Sequence, residues 1–540
     1  AGTMASVVDQ DSRGLVPRRR DVRLPNRLRT HNRGPRRRHA DGRTGKRDRT
    51  GALIVRAGFG NKGTFMSICW KLPFLSAVAA GIGACVTMAA PDRPMARWHF
   101  VGGDALRQQS GAPGVKAALA HPDAAGVGGR MATNLARFVV QRMGMASDST
   151  RAGTLAPLVE AMLDHESLGE VDARGWNLAV RVRETNFARL TIATSGLHQH
   201  GGGFSTRITN GWFLAASDAA GLARAWKETA RPVAGYMAAE VDLPKVLGPG
   251  NDAWPFVSLN IFASNNAVRT AARLSFASPP LGELGAWKVP DGAIRDPIIR
   301  FQAIRGAAPL VEKVGWMAML AGGPAPSQLF GWAQPNNLFR NWVAFPVEKP
   351  GPRMDRVQAD IRHLFGRTNA PGRYDGKLVM ATNNSALAVV GLKACQPALL
   401  PYQQRGQNFL IASFAPTLPS TNPVPAELLE RLNRPNLAAY EWEIAGDSFL
   451  HWNVAFDFNK MAQRTAPFPT MARARRWFMN IAPDLGNAIT EVLRESPTEY
   501  TFTRRSDIGL DGLEMALLSR WLDAPYGVLP ASPALPPSPK

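Results

Sequence analysis

Cysteine is the scarcest chemistry in this chain. Only three occur in 540 residues, and two of them, Cys69 and Cys85, lie within one apolar run near the N-terminus. That leaves Cys395, which follows the apolar stretch 386–392 and reads as a small core residue. An intramolecular disulfide is therefore excluded for the rest of the chain, so an oxidising compartment is tolerated without being used. Tyrosine stands at six and histidine at nine. No apolar segment reaches the ~20 residues that a helix needs to span a bilayer.

Catalytic signatures are missing as well. HExxH, GxSxG, a Walker A loop and a dinucleotide fingerprint each fix a metal, a nucleophile or a phosphate by spacing, and none occurs in credible context. Gly126, Gly128 and Gly129 have no strand signal before them. No Ser-His-Asp set can be nominated by spacing, and no cofactor is expected.

The most specific stretch present is 66–90, MSICWKLPFLSAVAAGIGACVTMAA. A secretory signal joins a positive start to an apolar run of about 7–15 residues and a small-residue cleavage site. Lys71 gives the charge, 72–84 the uncharged apolar run, and cleavage is expected at Ala89 or Ala90. Ile82-Gly83-Ala84-Cys85 also resembles a bacterial lipobox, which would put a lipid anchor on Cys85. The protein is accordingly expected to be exported, periplasmic or extracellular, touching the membrane only through the signal or that anchor.

What precedes this stretch is different in kind. Residues 1–60 hold fifteen Arg and one Lys against five Asp, half of the formal net charge of +22. With no Glu and Phe59 as the only aromatic, such a segment cannot bury enough surface to offset its ordering entropy and is expected to be disordered. Its Arg runs suit nucleic acid or anionic lipid. Met66 reads as a natural start, so 1–65 is expected to be translated upstream sequence and not native protein. The chain from Pro91 is only mildly basic, and no nucleic-acid partner is expected for it.

From Pro91 the hydrophobic pattern alternates between periods of two and of about 3.6 residues. Strands are expected at 96–101, 176–182, 211–217, 236–241, 256–263, 268–276, 297–304, 329–333, 342–347, 377–382, 386–392, 409–414, 437–444 and 498–504. Helices are expected at 131–143, 155–166, 219–229, 309–320, 354–365 and 513–522, and over most of 473–494 with a break at Pro483. Residues 190–194 fit either type. Landmarks then repeat at a spacing of about 200 residues. Arg231-Pro232 with Tyr236 and Glu240 matches Arg434-Pro435 with Tyr440 and Glu443. The strand at Trp98 matches the one at Ile298, and both halves close on an apolar segment ending in Trp, at Trp287 and Trp521. The expected class is α+β: two similar units, 91–290 and 291–524, each a largely antiparallel sheet with helices packed on one face. A Pro-rich tail, 525–540, follows.

Three groups of residues have chemical potential. His198 and His200 would face the same way on a strand and could share a metal, although no third ligand has the right spacing. Glu160, Asp164 and His165, with Glu166, Glu170 and Asp172 beyond, gather carboxylates around one imidazole and are the nearest approach to an acid–base site. A solvated helix face explains them more simply. The thirteen tryptophans after Trp70 could stack on sugars, but their alternating strand positions favour core packing.

The signal running into AAPDRPMARWHFVGG, the segment SQLFGWAQP, the run LPSTNPVPAELLERLNRPNLAAYEWEI and the close GLDGLEMALLSRWLDAP resemble a group of large, uncharacterised exported bacterial proteins. That resemblance covers nearly all of 66–525. It implies a compartment and an architecture, and carries no catalytic motif. The expectation is an exported envelope protein acting as a non-enzymatic binding or structural module on an unknown envelope ligand or protein. Two alternatives stand beside it: an exported hydrolase with a dispersed carboxylate/His site, and a nucleic-acid binder acting through the Arg-rich N-terminus.

Overall fold

The computed structural model describes residues 94–524 apart from 109–110, 143–148, 174, 184–185, 199–204, 234, 249–250, 314–321, 336–339, 367–376, 381–386, 391–397, 414–421 and 463–471. The signal segment with Cys85, Ala89 and Ala90, the Arg-rich extension, Cys395 and the Pro-rich tail lie outside the described residues.

Among the described residues, eighteen strands form one sheet. The first unit supplies β1 (Ala96–Phe100), β2 (Ser167–Asp172), β3 (Gly175–Arg181), β4 (Ser205–Thr209), β5 (Trp212–Ala216), β6 (Met237–Asp242), β7 (Phe256–Ser264) and β8 (Ala267–Ser275). The second supplies β9 (Arg300–Arg305), β10 (Gln328–Ala333), β11 (Asn341–Val347), β12 (Lys377–Met380), β13 (Leu387–Val390), β14 (Ala398–Gln404), β15 (Gln407–Ser413), β16 (Leu437–Ile444), β17 (Asn487–Arg494) and β18 (Glu499–Ser506). Every pairing among the described residues is antiparallel.

The helices are α1 (Gly103–Gln108), α2 (Pro113–Ala120), α3 (Val127–Arg142), α4 (Ser149–Asp164), α5 (Phe187–His198), α6 (Ala219–Glu228) and α7 (Leu243–Leu247) in the first unit. In the second they are α8 (Ala308–Lys313), α9 (Pro350–Gly366), α10 (Ala426–Glu430), α11 (Ala445–Ala462), α12 (Arg473–Ile481) and α13 (Gly512–Asp523).

Pairing order reveals the duplication. From the seam where β8 meets β18, the first unit runs β8, β7, β6, β1, β2, β3, β5, β4. The second runs β18, β17, β16, β9, β10, β11, β15, β14, with the hairpin β12–β13 added beyond. The two units therefore share one continuous sheet, joined by the β8–β18 ladder.

Matching hydrogen bonds set the alignment between units. Asp242 N donates to Met95 O at 2.9 Å, and Ile444 N donates to Ile299 O at 2.9 Å. Gly102 and Gly306 end the matched strands β1 and β9 at φ values of 90° and 69°. Both are followed by a short helix, and positive φ is the reason for glycine at each. This alignment corrects the sequence landmarks. Trp98 corresponds to Gln302, not Ile298, and Tyr236 and Tyr440 fall out of register. Trp287 and Trp521 are unrelated, since 276–287 is irregular whereas Trp521 sits in α13.

The strongest departure from the sequence reading is 487–494. It is strand β17, not the second half of a helix, because Ala488, Thr490 and Val492 alternate inward. Strands β2, β4 and β14 were not foreseen at all.

The main helical layer lies on one face. There α3, α4 and α5 pack on Trp98, Leu178, Val180 and Phe213, while α8 and α9 pack on Leu329, Phe345 and Leu410. The reverse face is covered only in part, by α6 over Leu168, Ala179 and Leu214, and by α10 with the connector 285–296 over Phe301, Phe330, Trp332 and Trp342.

Candidate functional site

The predicted acid–base residues gather at one corner of the first unit. A Cβ on Gly102 would overlap the backbone of His165, so β1 passes directly against the end of α4 there. This contact sets α1 beside that end. His165 Nδ1 lies 3.2 Å from Asp104 Oδ2, and Arg107 Nη2 lies 3.8 Å from Asp164 Oδ1. Nearby, His99 Nε2 is 3.0 Å from Glu166 Oε1, and Glu166 Oε2 accepts from Arg181 Nη1 at 3.1 Å. Glu160 pairs with Arg189 of α5 at 3.1 Å. Glu170 and Asp172 belong to strand β2, not to a helix face.

The structure thus brings Asp164 and His165 together and adds His99, Asp104 and Arg107, which the sequence reading did not contain. Only register and the Gly102 turn connect them, so spacing offered no signal. Two histidine–carboxylate pairs can exchange protons or orient water. Among the described residues, none of these side chains hydrogen-bonds a serine, threonine or cysteine hydroxyl or thiol.

Burial pushes the Asp164 carboxyl above its ordinary value; Asp104 and Glu160 act the same way, and Arg107 and His165 oppose them. A carboxyl raised by folding favours the fold in its protonated form. That contribution is complete below the unfolded value and is lost as pH rises through the folded one. Asn imitates the protonated group, so Asp164→Asn should raise Tm at pH 7 and leave Tm unchanged near pH 3. A clear fall at pH 7, measured by thermal unfolding, would show that the Arg107 contact outweighs burial.

The metal pair fares differently. His198 ends helix α5, so it is not on a strand, and His200 lies outside the described residues. Among the described residues no group of three or more His, Cys, Asp or Glu could hold a metal ion. Trp98, Trp212, Trp332, Trp342, Trp477 and Trp521 are buried, Trp176, Trp254, Trp287, Trp442 and Trp452 pack partly buried against the core, and Trp226 is exposed.

A second polar assembly lies on the helical face of the second unit, buried under α11 and α13. Gln302, Glu441, Thr490 and Arg504 stand in register across β9, β16, β17 and β18. Gln302 donates to Glu441. Arg504 Nε donates to Thr490 Oγ1 at 3.0 Å, Nη1 to Glu514 Oε2 at 2.5 Å, and Nη2 to Asp511 Oδ2 at 3.1 Å. One row over, Glu443 accepts from Ser448 Oγ at 2.6 Å and from Gly512 N at 2.5 Å. Opposite Glu443, Arg300 lies over the Trp452 ring at 4.4 Å. Asp511 and Glu514 form a capping box, so this network grips the N-terminus of α13.

No family model, curated protein or solved structure matches this chain. No characterised family therefore stands behind the resemblance to exported proteins, and site residues rest on geometry alone.

The comparison between units sharpens that geometry. Where the second unit places Arg300, Gln302, Glu441 and Glu443, the first places Ala96, Trp98, Ala239 and Val241 at matched positions of the same face. An apolar patch has become a charged one. Burial works against the Arg504 charge, but Glu514 and Asp511 outweigh it and raise its pKa above the ordinary value. The sequence did hold a signal: polar side chains at alternate positions, the charged Glu441 with Glu443 and the charged Arg300 with the amide Gln302, inside strands otherwise built to be buried.

Proposed function

We propose that this chain is an exported envelope protein whose duplicated sheet serves as a binding or structural module. The observation that supports this reading best is the use of its buried charge. Arg504 bonds Asp511 and Glu514, and Glu443 bonds the first turn of α13, so the charges of this network hold elements together. The partly exposed His99 and His165 are held by Glu166 and Asp104, and Glu166 also pairs with Arg181. Among the described residues no helix is long and apolar enough to cross a membrane, and 66–90 has the features of an export signal. A nucleic-acid role would belong to 1–60, where the Arg runs are.

Expression of 66–540 in a bacterial host tests the reading. The protein should appear in the envelope fraction with a mature N-terminus at Ala90 or Pro91, or at a lipidated Cys85, and deletion of 66–90 should leave it in the cytoplasm. A broad hydrolase screen on the mature protein should be blank. An activity that disappears in both His165→Gln and His99→Gln would replace the module by an enzyme.

A further inference from the structure

The reverse face of the central strands carries a regular set of charges. Three arginines there have a carboxylate, Arg97 with Glu240 at 2.8 Å, Arg181 with Glu166 at 3.1 Å and Arg273 with Glu499 at 2.9 Å, and Arg305 is satisfied by backbone carbonyls. Two arginines have neither kind of acceptor among the described residues. Arg269 of β8 and Arg505 of β18 stand directly opposite each other in the ladder that joins the two units. They share the face of Arg273, being displaced from it and from Thr501 by an even number of residues.

Neither has an ion-pair partner among the described residues, and Arg269 Nε is buried with no acceptor. Their lateral neighbours in register are Phe262 on one side and Ile489 on the other. Neither neighbour offers charge. Next along β18 on the same face is Thr503, a hydroxyl donor. Like charges directly opposed across an antiparallel pair cost stability, and a buried guanidinium donor without an acceptor costs more.

We propose that Arg269 and Arg505 form an oxyanion site for a ligand of the phosphate class, with Thr503 as an additional donor. Two guanidiniums present planar forks suited to paired oxygens, and together they match a dianion. One arginine comes from each unit, so the site exists only where β8 and β18 join. The inference gives a ligand chemistry to the binding module proposed above and rests on that reading for its biological setting only. Binding is measured on purified protein, so a failure of export leaves it standing.

Inorganic phosphate is titrated into the purified full chain by calorimetry, with sodium chloride at matched ionic strength as the control and sulfate and acetate as further arms. Saturable binding of phosphate above chloride is expected. Arg269→Gln and Arg505→Gln should each weaken it about tenfold or more, the loss of one charge-assisted contact. Arg273→Gln, which breaks a satisfied pair, should leave it unchanged. Acetate binding as tightly as phosphate would overturn the phosphate class. Absence of saturable binding, or binding that survives both single substitutions, would overturn the site. A stability readout guards against misfolding: in phosphate-free buffer Arg505→Gln should hold or raise Tm, because a like-charge opposition is relieved. A marked fall in Tm would mean that Arg505 already has a partner within the protein, and the proposal would fail.

Discussion

Arg504→Met should destabilise the protein by about 3–5 kcal/mol, the usual cost of removing one partner from a buried charged network. The cause is what stays behind. Asp511 and Glu514 lose the guanidinium that neutralises them, and Thr490 loses its donor, all beneath α11 and α13. Urea unfolding should show the loss, and hydrogen exchange should locate it. The amides of Gly512 and Glu514, bonded to Glu443 and Asp511, should become the least protected of α13. A companion variant separates charge from packing. Arg504→Met combined with Asp511→Asn and Glu514→Gln removes the stranded charges, and it should recover part of the stability although it has lost more native contacts. If the triple variant were worse than the single one by the sum of its parts, the network would be acting as independent bonds.

This network also marks the limit of what the chain discloses before folding. The antiparallel class and the strands at Trp98 and Leu437 follow from period-two alternation, because one face of each is buried and the other is less so. Residues 487–494 defeat the same reasoning. Placed after the amphipathic α12, NAITEVLR satisfies a helical pattern as well as a strand one, and only its pairing with β16 and β18 decides. Strand β2 was missed because Glu170 and Asp172 resemble a solvated helix tail. They are in fact reverse-face positions of a strand, Glu170 lying opposite Arg97. The repeat was visible as a spacing, yet its alignment was not. The two units have exchanged an apolar patch for a charged one, so residue types no longer report which positions correspond. The corner of His99, Asp104 and His165 was legible only in its α4 half. Its other half arrives through register and the Gly102 turn, and neither leaves a local mark.

Trp332→Ala and Trp342→Ala should each cost about 3–5 kcal/mol, the range for large aromatic truncations in a core. The two indoles face each other across β10 and β11 in register, with ring centroids 5.9 Å apart and planes 8° from parallel. Each is only 2% exposed. A double-mutant cycle should return a coupling of about 0.5–1.5 kcal/mol, as stacked aromatic pairs do beyond their buried area. Their N–H groups make a finer distinction. Both Nε1 atoms are buried without an acceptor among the described residues, so Trp→Phe removes an unsatisfied donor together with some packing. It should therefore cost much less than Trp→Ala at either position.

The consequence reaches beyond the pair, because the connector between the two units lies over these rings. Trp287 of that connector packs on Phe330 at 5.8 Å, and three glutamines clamp its backbone. Gln328 binds Ala286 O and Lys288 N, Gln334 binds Arg295 O, and Gln404 accepts from Gly292 N. Gln328 projects from β10 beside Trp332 and Gln334 directly follows that strand, whereas Gln404 ends β14, two strands beyond β11. Loss of Trp332 should thus speed hydrogen exchange at Lys288 before the central ladders open. Exchange confined to β10 and β11 would mean that the glutamines hold the connector without the stack beneath it.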